Sequence, residues 1–203
     1  MTGWTPDPVA AALALLPDRP GRRILGLIGP PGAGKSTLAT ALAAALDGAV
    51  LAMDGFHLDD AILVARGDRA RKGAPHTFDV AGLAALLERL RAGGMVYAPV
   101  FDRAEEISRA AAVAFAPEVR TVVVEGNWLL HDAEGWGAIA PLLDASLYLR
   151  VDEDVLRQRL QARWAGYGLS DAACEAKVTG NDMPNARLVA ASAVRADRIL
   201  RAL

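Results

Sequence analysis

Short unbroken apolar runs alternate along the chain with longer segments whose apolar residues recur at helical spacing. Residues 23–28, 50–53, 121–124 and 145–151 are runs of the first kind. With no polar alternation they read as strands buried on both faces. Segments 7–16, 35–46, 80–90, 153–164 and 184–193 read as helices, the first ended by Pro17 and Pro20, the third followed by Gly93-Gly94. Residues 198–203 are a candidate last strand. The stretch 67–76 is polar, basic and glycine-containing, and reads as a loop. Alternating strands and helices predict an α/β fold, a parallel sheet with helices on both faces. Such sheets bind ligands at the carboxyl ends of their strands. Three strands end there in chemically useful residues: the segment 29–36, Asp54 and Glu125. They are distant in sequence, and the architecture predicts that they meet.

Composition narrows the setting. The chain has 203 residues, 53% of them hydrophobic and 23% charged, which fits a folded domain of one core and excludes a disordered or fibrous chain. We expect a single domain over 1–203. A net charge of −2 argues against a broad nucleic-acid-binding face. No apolar run reaches the ~20 residues of a membrane span. Residues 1–7 lack the basic-then-apolar order of a signal peptide. The single cysteine, Cys174, permits no internal disulfide and fits a reducing, cytoplasmic compartment. Of 22 basic residues only Lys35, Lys72 and Lys177 are lysines.

Lys35 sits in Gly29-Pro30-Pro31-Gly32-Ala33-Gly34-Lys35-Ser36, which fits G-x-x-x-x-G-K-[ST] between a strand and a helix. Glycines let successive backbone N–H groups turn toward phosphate oxygens, and the new helix adds its positive end. Lys35 is placed to reach the β- and γ-phosphates of ATP and the Ser36 hydroxyl to ligate Mg²⁺, with Thr37 just beyond. Asp54, ending the second strand, is a candidate base for a substrate hydroxyl. Glu125 ends an apolar strand in the manner of a Walker B acid, a second Mg²⁺ contact. No Asn-Lys-x-Asp guanine-reading sequence occurs, nor a Leu-Ser-Gly-Gly signature. What remains is a small kinase with a mobile lid, about residues 157–170. Arg159 and Arg163 share a helix face there and are candidates to meet the transferring phosphoryl group.

The segments 29–37, Met53-Asp54-Gly55-Phe56-His57, Lys72-Gly73 through Phe78-Asp79, Ala98-Pro99-Val100-Phe101-Asp102 and Val124-Glu125-Gly126-Asn127 resemble the phosphoribulokinase/uridine kinase/bacterial pantothenate kinase family, in that family's order. They are most similar to small bacterial nucleoside/nucleotide kinase-like or fructose-transport-system kinase-like members. The resemblance implies a five-stranded parallel sheet of order 2-3-1-4-5, a three-layer P-loop sandwich. It also implies Asp54 as base and Glu125 as Walker B acid. Asp79, Asp102, Arg109 and Asn127 then lie near the acceptor, Arg159 and Arg163 in the lid, and Pro184 and Asn185 by the adenine. The acceptor stays open: Ile107 stands where uridine kinases have a histidine before the Ser-Arg pair, and Arg103 where pantothenate kinases have one. Arg103 with Arg109 reads either as an anionic-acceptor pocket or as exposed surface.

His57 and His76 are acceptor-contact candidates, with a surface loop histidine as the alternative for His76. Asp182 reads as a base-pocket neighbour or as a helix cap before Pro184. Trp128, Trp136 and Trp164 read as packing residues. The expected activity is ATP- and Mg²⁺-dependent phosphoryl transfer to a hydroxyl of a small metabolite (sugar, nucleoside or pantothenate-like alcohol). The alternative is a regulatory ATPase module with no acceptor. A small-molecule partner, no nucleic acid or membrane, and a possible homodimer complete the expectation.

Overall fold

The computed structural model describes residues 3–202. Met1 and Thr2, and Leu203 at the end of the expected final strand, lie outside the described residues. The elements run β1 (Trp4–Thr5), α1 (Pro8–Leu15), β2 (Arg23–Ile28), α2 (Lys35–Ala45) and β3 (Gly48–Ala52). Then come α3 (Asp60–Arg66), α4 (Val80–Ala92), β4 (Val96–Asp102), β5 (Ile107–Phe115) and β6 (Thr121–Gly126). The chain ends with β7 (Ala145–Arg150), α5 (Glu153–Gly166), α6 (Asp171–Lys177), α7 (Met183–Ala191) and β8 (Arg198–Ala202).

Among the described residues the main sheet has six strands, in the order β1-β8-β7-β2-β6-β3. From β3 to β8 all pairings are parallel, and in chain order these five strands stand 2-3-1-4-5. The sixth is the one departure from the expected count: Trp4–Thr5 adds antiparallel to β8 and covers that edge. Two residues are too few to show a strand pattern in sequence. The central strands are buried on both faces because their side chains are dominated by Val, Leu and Ile. One core lies on the α4 side, around Ile24, Phe115, Val122, Trp128 and Trp136. The other lies on the α1–α2 side, around Leu25, Leu42, Val123 and Leu147.

Outside the sheet, β4 and β5 form an antiparallel hairpin. Its register shifts between Ala98 and Val100, where Pro99 lacks the N–H for a regular ladder. The hairpin lies over a 3₁₀ turn at Met53–Phe56, and Gly55 makes the approach possible. A Cβ on Gly55 would stand 2.5 Å from the Pro99 carbonyl oxygen. Behind it, Arg22 is 3% exposed and donates to the carbonyls of Val119, Leu90, Gly94 and Ala116 at 2.8–3.1 Å, tying the ends of α4 and β5 to the start of β2. No helix among the described residues is long and apolar enough to cross a membrane.

Candidate active site

The parallel register decides the site. Ile28 pairs with Gly126 and Ala52 with Glu125, so the ends of β2, β3 and β6 share one rim of the sheet. A cavity of about 560 Å³ opens there. Gly32, Gly34, Lys35, Ser36 and Thr37 line it from the first strand end, Asp54 and His57 from the second, Glu125 and Asn127 from the third.

The loop before α2 curls because Gly32 and Gly34 take left-handed φ of 79° and 92°. Among the described residues no side chain caps α2, so its first N–H groups face the cavity unspent. Lys35 Nζ donates to the Asn127 Oδ1 at 2.5 Å and to the Pro30 carbonyl at 3.1 Å. Burial pushes its ammonium below the ordinary lysine range, while Glu125 and Asp54 pull it back up. Ser36 Oγ donates to Glu125 Oε1 at 2.8 Å. Burial raises the Glu125 carboxyl, and the Lys35 charge opposes that. Gly29 packs against Leu149, Pro30 contributes its carbonyl, and Ala33 is buried; these three shape the loop without lining the cavity.

These donors fit a nucleotide phosphate with Mg²⁺. Uncapped amides and a glycine-curled loop suit a phosphate. Ser36 and Glu125 offer hard oxygens, and no group of three or more His, Cys, Asp or Glu side chains suited to hold a metal occurs among the described residues. Mg²⁺ takes hard oxygens from one or two side chains, keeping waters and sharing substrate phosphate oxygens.

Asp54 is held by an ion pair with Arg103, from the turn between β4 and β5. His57 Nδ1 donates to the Asp54 carbonyl at 2.8 Å, and its ring lies 4.1 Å from Phe78 and 4.7 Å from Phe101 between centroids. Burial among these rings lowers the His57 pKa, against the pull of Asp54. Phe101 also carries Lys72 Nζ at 5.0 Å and the Arg103 guanidinium at 5.6 Å.

Other expected residues stand elsewhere. Asp79 caps α4 through the Gly82 N–H at 2.8 Å. Asp102 accepts from the Ala104 N–H at 3.1 Å and faces Arg109 at 3.4 Å. His76 lies between Asp68 and Glu134, at 3.6 and 3.8 Å. Asp79, Asp102, Arg109 and His76 do not line the cavity. Of the helix arginines, Arg163 lines it, while Arg159 donates to the Gly32 carbonyl at 3.2 Å from outside. Asn185 lines it, and Pro184 sits in the first turn of α7. Asp182 is not a helix cap. A π-helical turn at Val178–Asp182 runs on into α7, and the Asp182 carboxylate instead accepts from Trp164 Nε1 at 2.6 Å. Trp164, expected as packing, lines the cavity with Lys177 4.4 Å over its ring. Trp128 and Trp136 are fully buried, as expected.

Several lining residues carry no assigned role in the sequence reading: Arg69, Phe78, Glu106 and Asn181. Lys72 and Arg103 do carry signals, one as a scarce lysine, the other as a basic residue replacing a histidine. Asn181 lies in Asn-Asp-Met-Pro-Asn, whose π turn no local pattern announces.

A parallel sheet of this order, with a phosphate loop on its central strand and acids on two neighbouring ends, defines a kinase of the P-loop class. The comparisons agree. The family model AAA_33, an AAA domain, matches residues 24–179. The uncharacterized protein YggC of Escherichia coli is 36% identical over 199 residues, covering 95% of this chain and 82% of that one. A Schizosaccharomyces pombe protein named "Putative uridine kinase C227.14" is 32% identical over 197 residues, 90% of this chain and 84% of that one. A crystal structure from Silicibacter sp. TM1040, described as a "putative fructose transport system kinase", superposes with TM-score 0.89 at 44% identity, over 94% of this chain and 96% of that one. The chain belongs to the P-loop kinase family that this AAA_33 model matches, together with the relatives named as a putative uridine kinase and a putative fructose transport system kinase.

Proposed function

We propose that the protein is a phosphotransferase that uses ATP with Mg²⁺ and moves the γ-phosphoryl group to a hydroxyl of a small metabolite. The observation that carries this is the meeting of Lys35, Ser36, Glu125 and Asp54 at one rim of one sheet. In this reading the loop amides and Lys35 hold the β- and γ-phosphates. Ser36 and Glu125 hold the metal, which supplies charge neutralisation at the phosphate oxygens. Asp54 orients the acceptor hydroxyl and takes its proton. The hydroxyl oxygen bonds to the γ-phosphorus as the bond to the bridging oxygen of the leaving ADP breaks. Lys35 and Arg163 spread the charge that builds on the transferring group. Arg159, on the Gly32 carbonyl, steadies the loop. The segment 157–170 serves as the lid of a single kinase domain.

The test is Asp54→Asn. The amide keeps the shape and cannot accept the proton, so acceptor-dependent ADP release should fall at least ~100-fold, the scale of general base catalysis. ATP binding, followed by thermal shift, should persist. Unchanged turnover would remove Asp54 from the reaction. ADP release indifferent to every acceptor would favour a regulatory ATPase module.

A further inference from the structure

We infer that the acceptor carries an anionic group of its own, a carboxylate or a phosphate, and that Arg103 receives it and thereby releases Asp54. This rests on the kinase reading and specifies its substrate class.

The ion pair of Arg103 with Asp54 commits the carboxylate that must accept the hydroxyl proton. The pair is 45% and 29% exposed, so it is weakly held and open to exchange. Arg103 has no structural task to keep it there: among the described residues its guanidinium meets Asp54 and the Phe101 face. The turn that carries it is anchored by other groups. Lys72, 7% exposed, donates to the Glu106 carbonyl at 2.8 Å and pairs with the Glu106 carboxylate at 3.4 Å. Ser108 Oγ donates to the His57 carbonyl at 3.2 Å.

Charge balance then selects the ligand. Lys72 and Arg69 both pair with Asp60, Lys72 also with Glu106, and Arg109 faces Asp102 outside the cavity. Arg103 alone in this group depends on the base for its counter-charge. Once Asp54 takes a proton it is neutral, and the guanidinium is left unpaired beside the cavity. A neutral acceptor brings no counter-charge of its own. An acceptor with an anionic oxygen group supplies one, in the planar geometry arginine favours. Phe78 and Phe101 give the carbon skeleton an apolar floor.

The experiment measures ADP release by the full chain with matched acceptors: glycerol against glycerate for the carboxylate arm, and ribose against its terminal phosphate ester, then a nucleoside against its monophosphate, for the phosphate arm. The anionic member of a turned-over pair should show kcat/KM higher by about 10- to 100-fold, the scale of one charge-assisted bond. Arg103→Gln should collapse that ratio toward one, and Arg103→Lys should keep part of it. Thermal unfolding of both variants checks that they fold. Neutral members turned over as well as anionic ones would overturn the inference and leave the kinase reading intact. Equal slowing of both members by Arg103→Gln would also overturn it, assigning Arg103 to the transferring phosphoryl group. ADP release that no acceptor of either kind stimulates would overturn the kinase reading, and the inference with it.

Discussion

Gly55→Ala adds one carbon where the turn bearing Asp54 meets the β4–β5 hairpin. The new Cβ would stand 2.5 Å from the Pro99 oxygen, 2.8 Å from its carbonyl carbon and 3.3 Å from Cγ. Ordinary contact begins at 3.4 Å, so turn and hairpin must part by roughly 0.9 Å. Most of that clash is with backbone, which no rotamer change relieves. Gly55 does not have positive φ, so approach alone sets the cost. Overpacking of this kind costs about 1–3 kcal/mol. In a chain of this size that is a drop of roughly 2–12 °C in Tm. The greater effect falls on chemistry. Asp54 precedes the substituted residue and Arg103 follows the displaced strand, and a misplacement near 1 Å can cost ~100-fold in rate. Thermal unfolding and acceptor-dependent ADP release on the same preparation measure both. Gly137→Ala is the control, since its added Cβ meets only the Asp132 carbonyl oxygen, at an ordinary 3.7 Å. A Gly55→Ala protein with unchanged Tm and kcat would refute the claim that the Gly55–Pro99 contact positions Asp54.

Three further outcomes are expected. MgATP at about 100 times its Kd should add ~2.7 kcal/mol of stability, roughly 5–10 °C in Tm, and Lys35→Met should lose most of that shift in the same scan. Arg22→Ala strands the buried Leu90 carbonyl and three partly buried ones and should cost ~3 kcal/mol in urea unfolding. His57 has a folded pKa held below its unfolded 6.5 by burial. The unfolded chain therefore binds the extra proton first, and the His57 contribution, full above pH 6.5, is lost as pH falls through the folded value. Urea midpoints from about pH 7.5 to 5.5 should decline, and His57→Asn should flatten that decline.

What was legible in the chain divides along a physical line. The strands β2, β6 and β7 are apolar runs, and burial on both faces leaves that mark in sequence without help from neighbours; β3, half-buried at the sheet edge, shows it more briefly. The phosphate loop is equally local: Gly32 and Gly34 supply positive φ and Lys35-Ser36 follow at once. Glu125 and Asp54 came with their strands. The hairpin did not, because β5 is mostly exposed and reads Ala110-Ala111-Ala112-Val113-Ala114, a composition closer to helix than to strand. With it went the contact that brings Arg103 to Asp54, since those residues are joined only over a long range in sequence. Asp79 and Asp102 show the converse. Each is an acid beside a recognisable motif, yet each spends its oxygens on local N–H groups, at Gly82 and Ala104. Local sequence thus marks where phosphate chemistry is possible. The partner of Asp54 is decided by a hairpin whose own residues barely register as strand.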